Sequence, residues 1–177
     1  MEAGDRLRLF CALRLPDDVL DRLTAWQAEH GLVRAVPRQN LHVTLAFLGS
    51  RPARELREIA DELAGAARAA APIVLEPVRY RETRSVGMVV LADGSGAATA
   101  LADDLGTRLE RAGVYRREQR AWLPHVTVSR FRERPRLAPP PPSVGPFSPS
   151  DAAVYSSVLR PDGAEYEALE SVALGGR

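Results

Sequence analysis

The sequence predicts an α+β fold with mainly antiparallel pairing, and three observations carry that prediction. Apolar residues recur at period two in several short segments and at helical period in three longer ones, and the chain closes on a hairpin pattern around Pro161, Asp162 and Gly163. A chain of 177 residues with 45% hydrophobic content buries most of its unfolded surface without needing a disulfide or a metal. Residues 1–177 are therefore read as one domain.

The elements follow in order. Over residues 7–15, Leu7, Leu9, Cys11, Leu13 and Leu15 alternate with Arg6, Arg8, Phe10, Ala12 and Arg14, which is a strand. Cys11 lies on its leucine face and is read as a small core residue, not a nucleophile. Pro16, Asp17 and Asp18 start a helix whose face is Val19, Leu20, Leu23 and Trp26, and Gly31 stops it just after His30. His30, at that helix end, is assigned no chemistry. Residues 40–49 alternate again, and Pro52 opens a helix with Leu56, Ile59, Ala60, Leu63 and Ala67 on one face. Residues 73–80 and 86–92 read as strands, the second ending at Asp93-Gly94. Leu101, Leu105 and Leu109 with Gly113 mark a third helix, while residues 115–122 show no period. Residues 123–131 read as a strand. The prolines of residues 135–149 exclude a helix or a central strand there and predict a long surface loop rather than a polyproline ligand. Residues 152–159 and 165–174 form the closing hairpin.

Composition narrows the function. No stretch approaches the ~18 apolar residues of a membrane span, and the charged N-terminal residues continue directly into the first strand, so the expected compartment is the cytoplasm. Cys11 is the only cysteine, which excludes an internal disulfide and a cysteine metal cage. Net charge is only +1, although all 24 cations are arginine. That uniformity, with abundant alanine and little asparagine, reads as genomic bias. The clusters Arg116, Arg117, Arg120 and Arg130, Arg132, Arg134, Arg136 are read first as solvated faces and only second as phosphate contacts.

One pattern recurs. Leu41-His42-Val43-Thr44-Leu45 is echoed 83 residues later by Pro124-His125-Val126-Thr127-Val128, so that two of the three histidines stand at equivalent strand positions. On a strand, residues two apart share a face, about 7 Å apart. His42 and Thr44 then point one way while Leu41, Val43, Leu45 and Phe47 pack on the other side, and His125 and Thr127 repeat the arrangement. Displacement at phosphorus needs a base on one side and an acid on the other, and two imidazoles can divide those roles near neutral pH. The threonine hydroxyls would hold the non-bridging oxygens.

With the flanking Arg8-Leu9-Phe10, Phe47-Leu48-Gly49, Ser129-Arg130, Tyr155, Ser157 and Tyr166, these elements make the sequence resemble the RNA 2′,3′-cyclic phosphodiesterases of the two-histidine phosphoesterase superfamily, the 2′-5′ RNA ligase-like proteins. The resemblance spans nearly the whole chain. It implies a bilobal fold of two mainly antiparallel sheets with pseudo-two-fold symmetry, flanked by helices. It also implies His42 as proton donor to the leaving oxygen, His125 as proton acceptor from water, and neither metal nor cofactor. The implied substrates are RNA ends or nucleotides carrying a 2′,3′-cyclic phosphate, hydrolysed to a 2′-phosphate, with 2′-5′ ligation as the reverse reaction. A monomer without an obligate protein partner is expected. Arg130 follows the family pattern as a phosphate contact, but it is an odd number of residues from His125 and should face away from it unless the strand bends or ends. The sequence departs from the family at Ala35, where an aromatic is common, and over residues 80–84, which lack a Phe-Pro pair.

Rival readings keep the cleft and change its use: another cyclic phosphodiester as substrate, or a non-catalytic RNA-binding module. A metal-dependent hydrolase is disfavoured, because no carboxylate stands at ligand spacing from either histidine.

Overall fold

The structure, a computed structural model, describes residues 4–175. Strands β1 (Arg6–Arg14), β2 (Val43–Pro52), β6 (Asp151–Arg160) and β7 (Gly163–Val172) form one sheet in the order β2-β1-β6-β7. Strands β3 (Glu76–Glu82), β4 (Val86–Ala92) and β5 (His125–Arg130) form a second in the order β3-β4-β5. Every pairing within the two sheets is antiparallel. Each of the two strands carrying a His-x-Thr element is an edge strand of its own sheet.

Three helices pack against these sheets: α1 (Asp17–Glu29), α2 (Leu56–Ala69) and α3 (Ala97–Arg111). Helix α2 lies against β6, β7 and α3, and α3 reaches β2. Helix α1 turns to the other sheet: its Trp26 ring lies 6.0 Å from Tyr80 on β3, and the buried Gln27 amide donates to the carbonyls of Val36 and Val128. The apolar faces meet in a continuous core that runs from Leu9, Cys11 and Leu13 through Ile59, Leu63 and Leu105 to Val89 and Val126. Cys11 is fully buried there, and burial pushes its thiol up to about 12. Among the described residues, no helix is long and apolar enough to cross a membrane.

Several boundaries differ from those read in the sequence. The strand expected from Asn40 begins at Val43, because Pro37 opens a 3-10 turn over Arg38–Asn40. Pro52 ends β2 and is followed by another such turn, Ala53–Glu55, before α2 begins at Leu56. Strand β3 starts at Glu76 rather than at residue 73. Residues 115–122 form an irregular loop.

The proline-rich loop is surface chain with fixed anchors. Trp26 Nε1–H donates to Pro140 O at 2.9 Å. Glu82, whose side chain is 1% exposed, accepts from the Arg134 guanidinium, the Tyr80 hydroxyl and the backbone N–H groups of Arg136 and Leu137. Burial alone would raise the Glu82 pKa, but the Leu137 N–H, Tyr80, Arg134 and the Arg136 N–H together hold it below the usual carboxylate range. A depressed carboxylate stabilises the fold above its unfolded pKa and loses that contribution as pH falls through the folded value. Glu82→Gln is therefore expected to cost about 1–3 kcal/mol at pH 7 and less at pH 4. Urea unfolding at the two pH values checks this, and equal losses at both would refute it.

Candidate active site

Both histidines stand at the entry to an edge strand, and each is oriented by its own chain. His42 Nδ1 lies 2.7 Å from Asn40 O, and His125 Nδ1 lies 2.7 Å from Leu123 O, the same two-residue relation in both halves. A carbonyl only accepts, so Nδ1 carries a proton in each ring and leaves Nε2 as the working nitrogen. Asn40 is itself clamped, its side-chain amide donating to Ala164 O at 2.9 Å.

The two elements share a further local feature. In β2, Ala12 pairs with Thr44 and Cys11 with Ala46, which leaves Leu45 as an extra residue. In β5, Met88 pairs with Thr127 and Gly87 with Ser129, which leaves Val128 extra. Each bulge falls three residues after the histidine, and a bulge reverses the facing of the residues that follow it up to the next irregularity in the strand. Phe47 therefore stands opposite Phe10 and shares the face of Thr44, and Arg130 stands opposite Val86 and shares the face of Thr127. This corrects two expectations. Phe47 does not pack with Leu45 but is 47% exposed, with the Arg8 guanidinium 4.9 Å from its ring centre. Arg130 is on the histidine side despite its odd spacing.

The surroundings of the two imidazoles differ. His42 is enclosed by aromatic rings, with Phe10 at 4.9 Å, Tyr166 edge-on at 5.6 Å and Tyr155 at 6.2 Å. Its Nε2 lies 2.8 Å from the Thr44 hydroxyl. Burial pushes the His42 pKa down to about 4; the Asn40 carbonyl opposes this, and the charges of Arg130 and His125 add to it. His42 is therefore neutral at neutral pH, with its Nε2 accepting from the Thr44 hydroxyl. His42, Thr44 and Arg130 line one cavity of about 360 Å³ with Phe10, Phe47 and Tyr166. His125 lines a larger groove of about 1420 Å³ that also contains Thr44, Phe47, Met88, Arg81 and Trp122. Thr127 is half-buried and lines neither cavity. Among the described residues, no three His, Cys, Asp or Glu side chains gather as a metal cluster.

No local pattern in the sequence marks Phe10, Phe47 or Trp122 as site residues. Tyr155 and Tyr166 are marked only by the family resemblance. Sheet pairing brings the tyrosines to His42 from more than a hundred residues away, and no local period signals that.

Two antiparallel sheets that bring a pair of bulged His-x-Thr strands together define a protein of the two-histidine phosphoesterase class. Comparison with known proteins agrees: the family model described as the 2′-5′ RNA ligase superfamily matches residues 15–164, and the chain belongs to that family. It is 30% identical to the RNA 2′,3′-cyclic phosphodiesterase of Thermus thermophilus, over 96% of this chain and 91% of that protein. It is 28% identical to the protein of the same name from Escherichia coli, over 94% and 96% of the two chains. Among solved structures, it resembles the Escherichia coli LigT protein complexed with 3′-AMP with a TM-score of 0.80, at 25% identity and covering 96% of this chain and 99% of that one.

Proposed function

We propose that the protein hydrolyses the 2′,3′-cyclic phosphate at RNA ends to a 2′-phosphate, with His42 as general acid and His125 as general base, acting as a monomer. The observation that carries this reading is the meeting of the two His-x-Thr strands, each imidazole fixed through Nδ1 so that Nε2 is the nitrogen left for chemistry. The family membership and the names of the relatives support the substrate class.

In the proposed step, His125 Nε2 takes a proton from water as the water oxygen bonds to phosphorus. The bond from phosphorus to the 3′ oxygen breaks on the opposite side, and that oxygen takes the proton from His42 Nε2. Thr44, Thr127 and Arg130 are proposed to hold the non-bridging oxygens, Arg130 supplying the positive charge. After turnover His125 is protonated and His42 neutral, and exchange with solvent resets the pair. The cavity beside His42 has room for one nucleoside within the usual range for small-ligand sites, about 300–1,000 Å³, and Phe47 offers it an exposed ring. The same step with the 5′-hydroxyl of a second RNA in place of water, its proton going to His125 as the bond to the 3′ oxygen breaks, gives 2′-5′ ligation.

The test is a panel of 2′,3′-cyclic nucleotides, oligonucleotides ending in that group, and 3′,5′-cyclic nucleotides, assayed in excess chelator with products resolved by phosphorus NMR. Hydrolysis of the 2′,3′-cyclic ends to the 2′-phosphate alone is expected, at a rate indifferent to chelator. A 3′-phosphate product would reverse the orientation, a mixture would contradict a fixed cleft, and preference for the 3′,5′-cyclic compounds would replace the substrate.

A further inference from the structure

We propose that Trp122 is a positioning residue that sets the separation of the two imidazoles across the cleft. The inference rests on the acid-base reading of His42 and His125. Strand β2 is the edge of its sheet, so one row of its backbone groups has no ladder partner. The carbonyl of Thr44 takes its hydrogen bond from the other half of the molecule, from Trp122 Nε1–H at 3.0 Å.

The same short segment aims the second histidine. Leu123 O accepts from His125 Nδ1–H at 2.7 Å, and Pro124 O accepts from Leu91 N–H on β4 at 3.0 Å. Residues 122–124 are thus fixed to the three-stranded sheet at one end and to the four-stranded sheet at the other. On the far side, the Thr44 hydroxyl lies 2.8 Å from His42 Nε2. One residue, Thr44, therefore meets His42 through its side chain and Trp122 through its backbone. The first half is tied across by backbone instead: in the segment before His42, Val36 N–H donates to Val128 O at 3.0 Å and Arg34 O accepts from Arg130 N–H at 3.3 Å, whereas the second half reaches Thr44 through the Trp122 side chain. The Trp122 link is the one that ends on Thr44, the residue bonded to His42 Nε2.

In-line displacement tolerates little error in the spacing of acid and base, and a shift of about 1 Å can cost about 10²-fold in rate. Trp122→Phe keeps an aromatic ring and removes the N–H. It is expected to lower kcat for a 2′,3′-cyclic mononucleotide by about 10- to 100-fold, to leave KM within about threefold, and to change the separation of the two limbs of the pH–rate profile. Trp122→His, which restores a ring N–H, is expected to recover part of the lost kcat. A Trp122→Phe enzyme with kcat within about threefold of wild type would overturn the proposal. So would kcat and KM worsening together with an unchanged pH profile, as simple loosening of the fold predicts.

A second measurement does not depend on turnover. The His125 charge lowers the His42 pKa, so His125→Gln should raise the His42 titration midpoint seen by NMR, and the size of that rise reports how near the rings are. In a Trp122→Phe background the rise is expected to differ from that in wild type. An identical rise would show that the rings kept their separation and would sink the proposal even if the RNA substrate were wrong. Failure of the substrate reading alone would instead leave wild type inactive on every cyclic phosphate with this coupling intact.

Discussion

His42→Ala and His125→Ala are each expected to lower kcat by about 10²- to 10⁴-fold, the range for losing one positioned proton-transfer group. In the proposed step the two groups act together, because the bond to water forms as the bond to the leaving oxygen breaks. Removing the second after the first is therefore expected to cost far less than the product of the single effects. The reasons for a large loss differ between the sites. His42 lies among Phe10, Tyr155 and Tyr166, and its deletion leaves a leaving oxygen with no proton source in an apolar enclosure. His125 lines the wide groove, where its deletion leaves water without an activating base. Chemistry also separates the roles. With sulfur in place of the leaving oxygen, no proton is needed on departure, so His42→Ala is expected to regain most of its lost rate while His125→Ala is not. The opposite pattern would exchange the assignments, and near-wild-type turnover by either folded single variant would remove them.

The parts of this site visible in the sequence are those with a local period. The echo of His42-Val43-Thr44 in His125-Val126-Thr127 is a pattern over a few residues, and the alternation of β1 and the helical face of α2 are patterns of the same kind, so the α+β class and both histidines could be read directly. The bulges at Leu45 and Val128 could not. A bulge is a property of how a strand pairs with its neighbour, and simple alternation wrongly puts Phe47 with the core and turns Arg130 away from its histidine. Nor could the aromatic enclosure of His42 be read, because it draws on β1, β6 and β7, which meet only through sheet order. Trp122 lay in the segment without a period. Its contact is a side chain donating to an edge-strand carbonyl 78 residues away, for which a sequence has no short-range sign.

Sulfate is expected to bind the cleft with uptake of about one proton, and that proton is expected on His42. The free protein holds His42 at about 4, with Nδ1–H given to Asn40 and Nε2 accepting from the Thr44 hydroxyl. Both polar atoms of this pair are satisfied internally, and neither offers a proton to a ligand. An anion between the histidines changes the balance: it opposes the positive charges of Arg130 and His125 that now hold His42 down and favours the imidazolium. His42 Nε2–H then becomes a donor, and the Thr44 hydroxyl is released to donate to the anion. Burial holds the neighbouring Tyr155 phenol above its ordinary range, so it keeps its own proton across this window. Because burial and the nearby charges keep His42 depressed before sulfate binds, the ligand-linked proton is absent below pH about 4, where the ring is already charged. It is present above that value up to the pKa of the bound state. Across this window sulfate affinity should fall by up to about tenfold per pH unit, and sulfate should stabilise the fold more at pH 5 than at pH 8. Titration calorimetry in buffers of different ionisation enthalpy counts the protons, and NMR of the imidazoles says which ring takes them. Sulfate binding with no proton uptake and a neutral His42 would leave the proposed acid without its proton when the phosphate arrives, and would assign His42 to the base instead.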